Sequence, residues 1–213
     1  MNPSKKKTDS INIHIRFRSW GGFCEGEGKY YYVSYNCDII DILEKYSSYI
    51  VQTAGDGILA LIDIEKLDEN MFYKMISEIL AQDWPVRAAA ELAKKGLYME
   101  GYLSPIELQE FTLCGRNINI TARMEKKLKE FIKSWKLKHL KLQSIHSAFI
   151  FTERIITDGI LKDKNSAPSG KPGNLKSSLK KIDGYNLDSN FKILKGIFEM
   201  EKEPLNCLIF YRY

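Results

Sequence analysis

The segment YIVQTAGDGILALIDI, residues 49 to 64, sets two apolar, β-prone runs on either side of Gly55-Asp56-Gly57. An Asp-Gly pair accepts the positive φ angles of a tight turn, so the two runs fold back on each other as a β-hairpin. A hairpin this apolar is not stable alone in water and must be covered by further strands and helices. The rest of the chain supplies them. Ile11 to Phe17 alternates Ile-Asn-Ile-His-Ile-Arg-Phe, the period of two of a strand with one polar face. Asp38 to Tyr46 reads as a helix with Asn36 as its cap. Asp68 to Gln82 reads as a second helix, with Met71, Met75, Ile76, Ile79 and Leu80 turned inward. Val86 to Leu92 and Leu97 to Gly101 suggest a strand pair, or a strand and turn. A helix runs from Ile118, HSAFIFTERI (146–155) contains a strand, and two more lie around Ile193 to Gly196 and Cys207 to Tyr211. Strands interleaved with helices, partly through hairpins, predict an α+β sandwich.

A chain of 213 residues suits one domain, read here as 11–213 behind a basic, disordered tail at 1–10. Residues 161–184 are rich in Lys, Ser, Pro and Gly and predict an exposed, flexible insertion. Its Gly170-Lys171 is followed by Pro172 and lacks the spacing of a phosphate loop. The 4 cysteines (Cys24, Cys37, Cys114, Cys207) are scattered, and there are only 3 histidines. That argues against a disulfide framework or a closed zinc site and for a reducing compartment. No apolar run reaches membrane-spanning length, and the polar, basic start lacks the apolar core of a signal peptide. The expectation is a soluble, cytoplasmic protein with no membrane partner. The net charge of +5 suits a partner carrying phosphates, and equally suits solubility alone. No stable nucleic-acid partner is expected.

Two motifs carry chemistry. Gly55-Asp56-Gly57 serves as a turn, but its glycines also admit a close phosphate, and an aspartate at a rigid hairpin tip is a hard oxygen ligand for Mg²⁺ or Mn²⁺. Asn119 and Arg123 lie one helical turn apart, beside a core stripe of Ile120, Met124, Leu128, Phe131 and Ile132. Either alone reads as a loop cap or an ion-pair partner. At i and i+4 they present an amide and a guanidinium fork to one ligand, the amide suited to a ribose and the fork to a phosphoryl group.

VQTAGDGILAL (51–61), VRAAAELAKKGLYMEG (86–101) and LCGRNINITARME (113–125), with the shorter ILKGIF (193–198), resemble the class III nucleotidyl cyclase homology domain, in that order along the chain. The resemblance implies a ferredoxin-like palm, an antiparallel sheet with helices on one face. It also implies conversion of a ribonucleoside triphosphate to a 3′,5′-cyclic nucleotide and pyrophosphate. Asn119 would orient the ribose, Arg123 would stabilise the α-phosphoryl transition state, and Lys195 would bind substrate. Asp56 would hold metal, in a homodimer whose shared sites draw metal and transition-state residues from opposite chains. The base-selecting positions carry Gln52 and Thr112, where adenylate cyclases typically have Lys and Asp, and guanylate cyclases Glu and Cys. As a compact stand-alone domain the chain is most similar to the bacterial antiphage pyrimidine cyclases, which implies UTP or CTP as substrate and a role in antiviral defence.

The family carries its first metal aspartate on the opening strand in an Asp-Ile-x-Gly-Phe context. Here that strand reads INIHIRFRSWGGF (11–23), and Asn12 and His14 are the candidates on the polar face. An imidazole in place of a carboxylate favours Mn²⁺ over Mg²⁺ as cofactor. The alternative is a catalytically degenerate cyclase-homology domain that regulates by binding nucleotide or a protein.

Overall fold

In β1 (Ser4–Phe17) the alternation does what period two dictates: Ile11, Ile13 and Ile15 are fully buried, while His14 is half-buried and Arg16 exposed. The computed structural model describes residues 4–17, 28–54, 57–103, 108–114, 116–138, 145–161, 191–200 and 203–213. After β1 come α1 (Gly28–Lys45), β2 (Ser48–Ala54), β3 (Gly57–Asp63), α2 (Glu69–Ala81) and β4 (Val86–Leu103). Then follow β5 (Leu108–Cys114), α3 (Arg116–Lys138), β6 (Ser147–Thr152), β7 (Phe191–Met200) and β8 (Glu203–Arg212).

The strands form one sheet in the order β2-β3-β1-β4-β6-β8-β7, with β5 paired to β4. Its first half, β1-α1-β2-β3-α2-β4 with β1 inserted between β3 and β4, is the ferredoxin-like arrangement expected from the sequence. All pairs are antiparallel except β4 with β6, so the sheet is mixed. The α3 crossover between β5 and β6 reverses the chain and makes that parallel pair possible.

One face buries the larger core. Ile39 and Leu43 of α1 and Phe72, Met75, Ile76 and Ile79 of α2 pack on Ile11, Ile13, Ile58, Ile62, Phe149, Phe151 and Phe210. Phe72 meets Phe151 edge-on at 5.2 Å between ring centroids, and Phe151 stacks on Phe210 at 5.6 Å. The second face carries a smaller core, Met124, Leu128 and Ile132 of α3 against Ala89, Ala148, Ile150 and Ile209. Helices therefore cover both faces, where the sequence suggested one. Met124, Leu128 and Ile132 are core, as their spacing predicts, but that periodicity does not say which side of the sheet receives them.

Asp68, expected as the first residue of the helix, lies just outside it and caps α2, accepting a hydrogen bond from the Met71 amide at 2.8 Å. Asp68→Ala should lower unfolding free energy by about 1 kcal/mol without altering the fold, read as a small shift of the urea midpoint at constant slope.

Other boundaries differ from expectation. Residues 4–10, expected as a disordered tail, belong to β1, where Ser4 to Thr8 pair with Glu100 to Gly96 of β4. Ladder hydrogen bonds are made by backbone, so a lysine-rich segment can join without an apolar face. Asn36 lies inside α1 instead of capping it, because the apolar spacing continues back through the fully buried Tyr35. The two segments expected between Val86 and Gly101 are one continuous strand. Most of the expected insertion at 161–184 lies outside the described residues.

Candidate active site

Strand register assembles three cross-strand rows on the face that α3 partly covers. The first runs Tyr49, Leu61, Asn12, Glu91, and the second Gln52, Leu59, His14, Ala89. The third, at the hairpin end, runs Ala54, Gly57, Arg16, Arg87. A β-bulge between Ile50 and Gln52 makes the second row possible. Without the extra residue, Gln52 would share the core-facing parity of Ile50, and with it Gln52 joins the open face, where it is exposed. Leu59 and His14 beside it are half-buried. Two candidates from distant sequence positions, Gln52 and His14, thus flank one leucine, and Asn12 lies in the adjacent row.

On α3, Thr121, Met124, Glu125, Leu128 and Ile132 are buried, whereas Asn119 and Arg123 are exposed. At 100° per residue the Asn119–Arg123 pair lies about 180° round the helix from the centre of that buried stripe. The pair does not sit beside the core face. It points away from the sheet of its own chain, so one chain does not turn Asn119 and Arg123 toward its own His14 row.

Lys195 is opposite Leu208, which belongs to the core under α1 and α2, and it pairs with Glu153 at 2.6 Å. It therefore lies on the opposite face from His14. Thr112 is opposite Met99 in the β4–β5 hairpin, and β5 also approaches β2, the strand bearing Gln52. Asp56 lies outside the described residues, although Gly57 beside it fixes the row in which the hairpin ends.

The sequence reading missed two residues. Glu91 of β4 is fully buried on the α3 side of the sheet. Its Oε1 accepts from Thr152 Oγ1 at 3.0 Å, Arg154 Nε at 2.6 Å and the Leu92 amide at 2.7 Å. Burial pushes its carboxyl above the usual range, against the lowering pull of Arg154, Thr152 and that amide. Near it the thiol of Cys207, buried and close to Glu91 and Glu153, is pushed up to about 12, which leaves it protonated and poorly nucleophilic at neutral pH. A lone glutamate in the apolar run VRAAAEL was the available signal. The second missed residue is Arg16, the β1 residue opposite Gly57.

These residues do not fit a two-cation site. Asn12, His14 and Arg16 give β1 no carboxylate on this face. Of Glu91, opposite Asn12, Oε1 is held by three donors while the buried Oε2 has no hydrogen-bond partner among the described residues, so it is a single carboxylate oxygen and not a two-cation ligand set. Among the described residues no group of three or more His, Cys, Asp or Glu is arranged to hold a metal ion. Nor is any helix among them long and apolar enough to cross a membrane.

No protein-family model matches the sequence, and no curated protein matches it. Solved structures do match the fold. A bacterial light-regulated adenylyl cyclase superposes on 98% of this chain with TM-score 0.58 and 12% identity, and the chain spans 52% of that protein's length. The adenylyl cyclase CyaB from P. aeruginosa covers 97% of this chain and is itself covered to 95%, with TM-score 0.56 and 11% identity. The guanylate cyclase domain of RhGC from Catenaria anguillulae, solved with GTP, covers 98% in each direction with TM-score 0.52 and 11% identity. The chain has the class III fold that these adenylyl and guanylyl cyclases share.

Proposed function

We propose that the protein is a nucleotidyl cyclase acting as a homodimer with shared active sites. The observation that carries this reading is the outward pair Asn119 and Arg123 on α3, within a cyclase fold. Side chains aimed away from their own sheet suit a substrate held on the open face of a second copy. There Asn119 orients the ribose. The ribose 3′-oxygen attacks the α-phosphorus as its hydroxyl proton passes to solvent water, and the bond from the α-phosphorus to the bridging oxygen breaks, releasing pyrophosphate. Arg123 neutralises charge on the α-phosphoryl oxygens as that bond exchange proceeds. Lys195, paired with Glu153 on the opposite face of the sheet, takes no part in this site.

Gln52 supports a pyrimidine substrate, UTP or CTP, whose cyclic product serves as a second messenger in antiviral defence. It is exposed on the open face and, with Thr112, offers both donor and acceptor groups in place of the charged side chains expected for adenine. Purified protein incubated with each of the four ribonucleoside triphosphates, in Mn²⁺ and separately in Mg²⁺, should yield a cyclic pyrimidine monophosphate by mass spectrometry, faster in Mn²⁺ and with ATP a poor substrate. Efficient cyclic AMP formation with UTP and CTP inert would overturn the pyrimidine assignment. No cyclic product from any nucleotide would favour the second reading, a nucleotide- or protein-binding regulator. The absence of a carboxylate on the polar face of β1 is the observation behind that alternative.

A further inference from the structure

The geometry points to Arg16 as a triphosphate-binding residue that places a fixed positive charge where the described residues offer no second metal ligand. The inference rests on the cyclase reading, since it presumes that a triphosphate enters the open face. Three observations carry it. Register sets Arg16 directly opposite Gly57, next to the hairpin tip, while Asn12 and His14 lie in rows deeper along β1. Its side chain is exposed, so its guanidinium remains hydrated and available to an incoming anion. Its other cross-strand neighbour, Arg87, is buried and bound to Glu125 at 2.6 Å, which satisfies Arg87 and leaves Arg16 as the accessible cation of that row.

A guanidinium beside the hairpin tip would repel a metal cation and attract phosphate. It presents planar donors that match two oxygens of one phosphate, or oxygens of adjacent phosphates. Charge that a two-cation site neutralises with metal is met here in part by a covalently held cation. Triphosphate binding should therefore persist when divalent ions are removed.

Calorimetric titration tests this with inorganic tripolyphosphate, which is independent of base, and with the four ribonucleoside triphosphates, each in EDTA and in Mn²⁺. In EDTA the native protein should bind tripolyphosphate and at least one nucleotide, and Arg16→Ala should weaken both by about tenfold or more. Arg16→Lys should recover part of the affinity. Lys74→Ala removes an exposed cation from α2, on the far face, and should change nothing. Arg16 is exposed, so a thermal melt close to native confirms that each variant is folded. Nucleotide binding that requires Mn²⁺ and is unaffected by Arg16→Ala would overturn the role of Arg16 while leaving the cyclase reading standing. An equal loss in Lys74→Ala would show mere attraction to a basic chain and also overturn it. Failure of every nucleotide to bind under either condition would sink both.

Discussion

Arg123→Ala should reduce turnover by roughly 10³-fold or more, the scale expected for an arginine that stabilises phosphoryl charge in the transition state. The melting temperature should stay within a few degrees of native, because Arg123 is exposed on the side of α3 away from the core. Asp56→Ala should be comparably inactive and comparably folded. The decisive result is the mixture. If the site is shared, a heterodimer of the two variants contains one site with both defects and one with neither. With random reassortment half the dimers are mixed, so activity should return to about a quarter of native. Subunit exchange can be followed independently by labelling the two variants with a donor and an acceptor fluorophore. Exchange without recovery would mean that Asp56 and Arg123 act within one chain, and would require α3 to turn its outer face toward its own sheet. The present packing of Met124, Leu128 and Ile132 opposes such a rotation, because it would expose all three to water.

Much of the scaffold was legible in the sequence because its signals are local. The alternation of Ile11, Ile13 and Ile15 needs only the two-residue repeat of a strand, and the β2–β3 hairpin needs only a turn that favours positive φ. Asp68 marks the start of α2 by chemistry confined to four residues. What escaped was set by partners far away in sequence. Arg16 could not be assigned to the hairpin row until β1 was paired with β3, because register depends on the burial of whole strands. The bulge that turns Gln52 onto the open face has no marker in YIVQTA and follows from how β2 meets β3. The side of the sheet taken by α3 is likewise a tertiary choice. Its amphipathic stripe fits either face, and α1 and α2 already occupy one. Glu91 and Arg87 were passed over because a charge inside an apolar strand becomes informative only when its partners, Arg154 and Glu125, are known.

The Arg87–Glu125 pair should be the most expensive single contact to break in the part of the molecule that presents Arg123. Their side chains are only 10% and 7% exposed, and Nε and Oε1 are 2.6 Å apart. The pair joins β4 to α3 two residues from Arg123, at the edge of the smaller core. Removing one partner leaves a buried charge without its counter-ion, which typically costs about 3–5 kcal/mol. For a domain of this size Arg87→Ala and Glu125→Ala should each lower the melting temperature by roughly 6–20 °C. Replacing both with apolar groups of similar volume, Arg87→Met with Glu125→Leu, removes the desolvation cost together with the attraction. The double variant should therefore be more stable than either single change and close to native. Its activity is a separate readout. If the pair only stabilises the fold, the repacked protein keeps its turnover. If it also fixes the azimuth of α3, and hence the aim of Arg123, turnover falls although stability has returned. Additive losses in the double variant, or single losses below about 1 kcal/mol, would show that these charges are largely hydrated and that apolar packing alone holds α3 on the sheet.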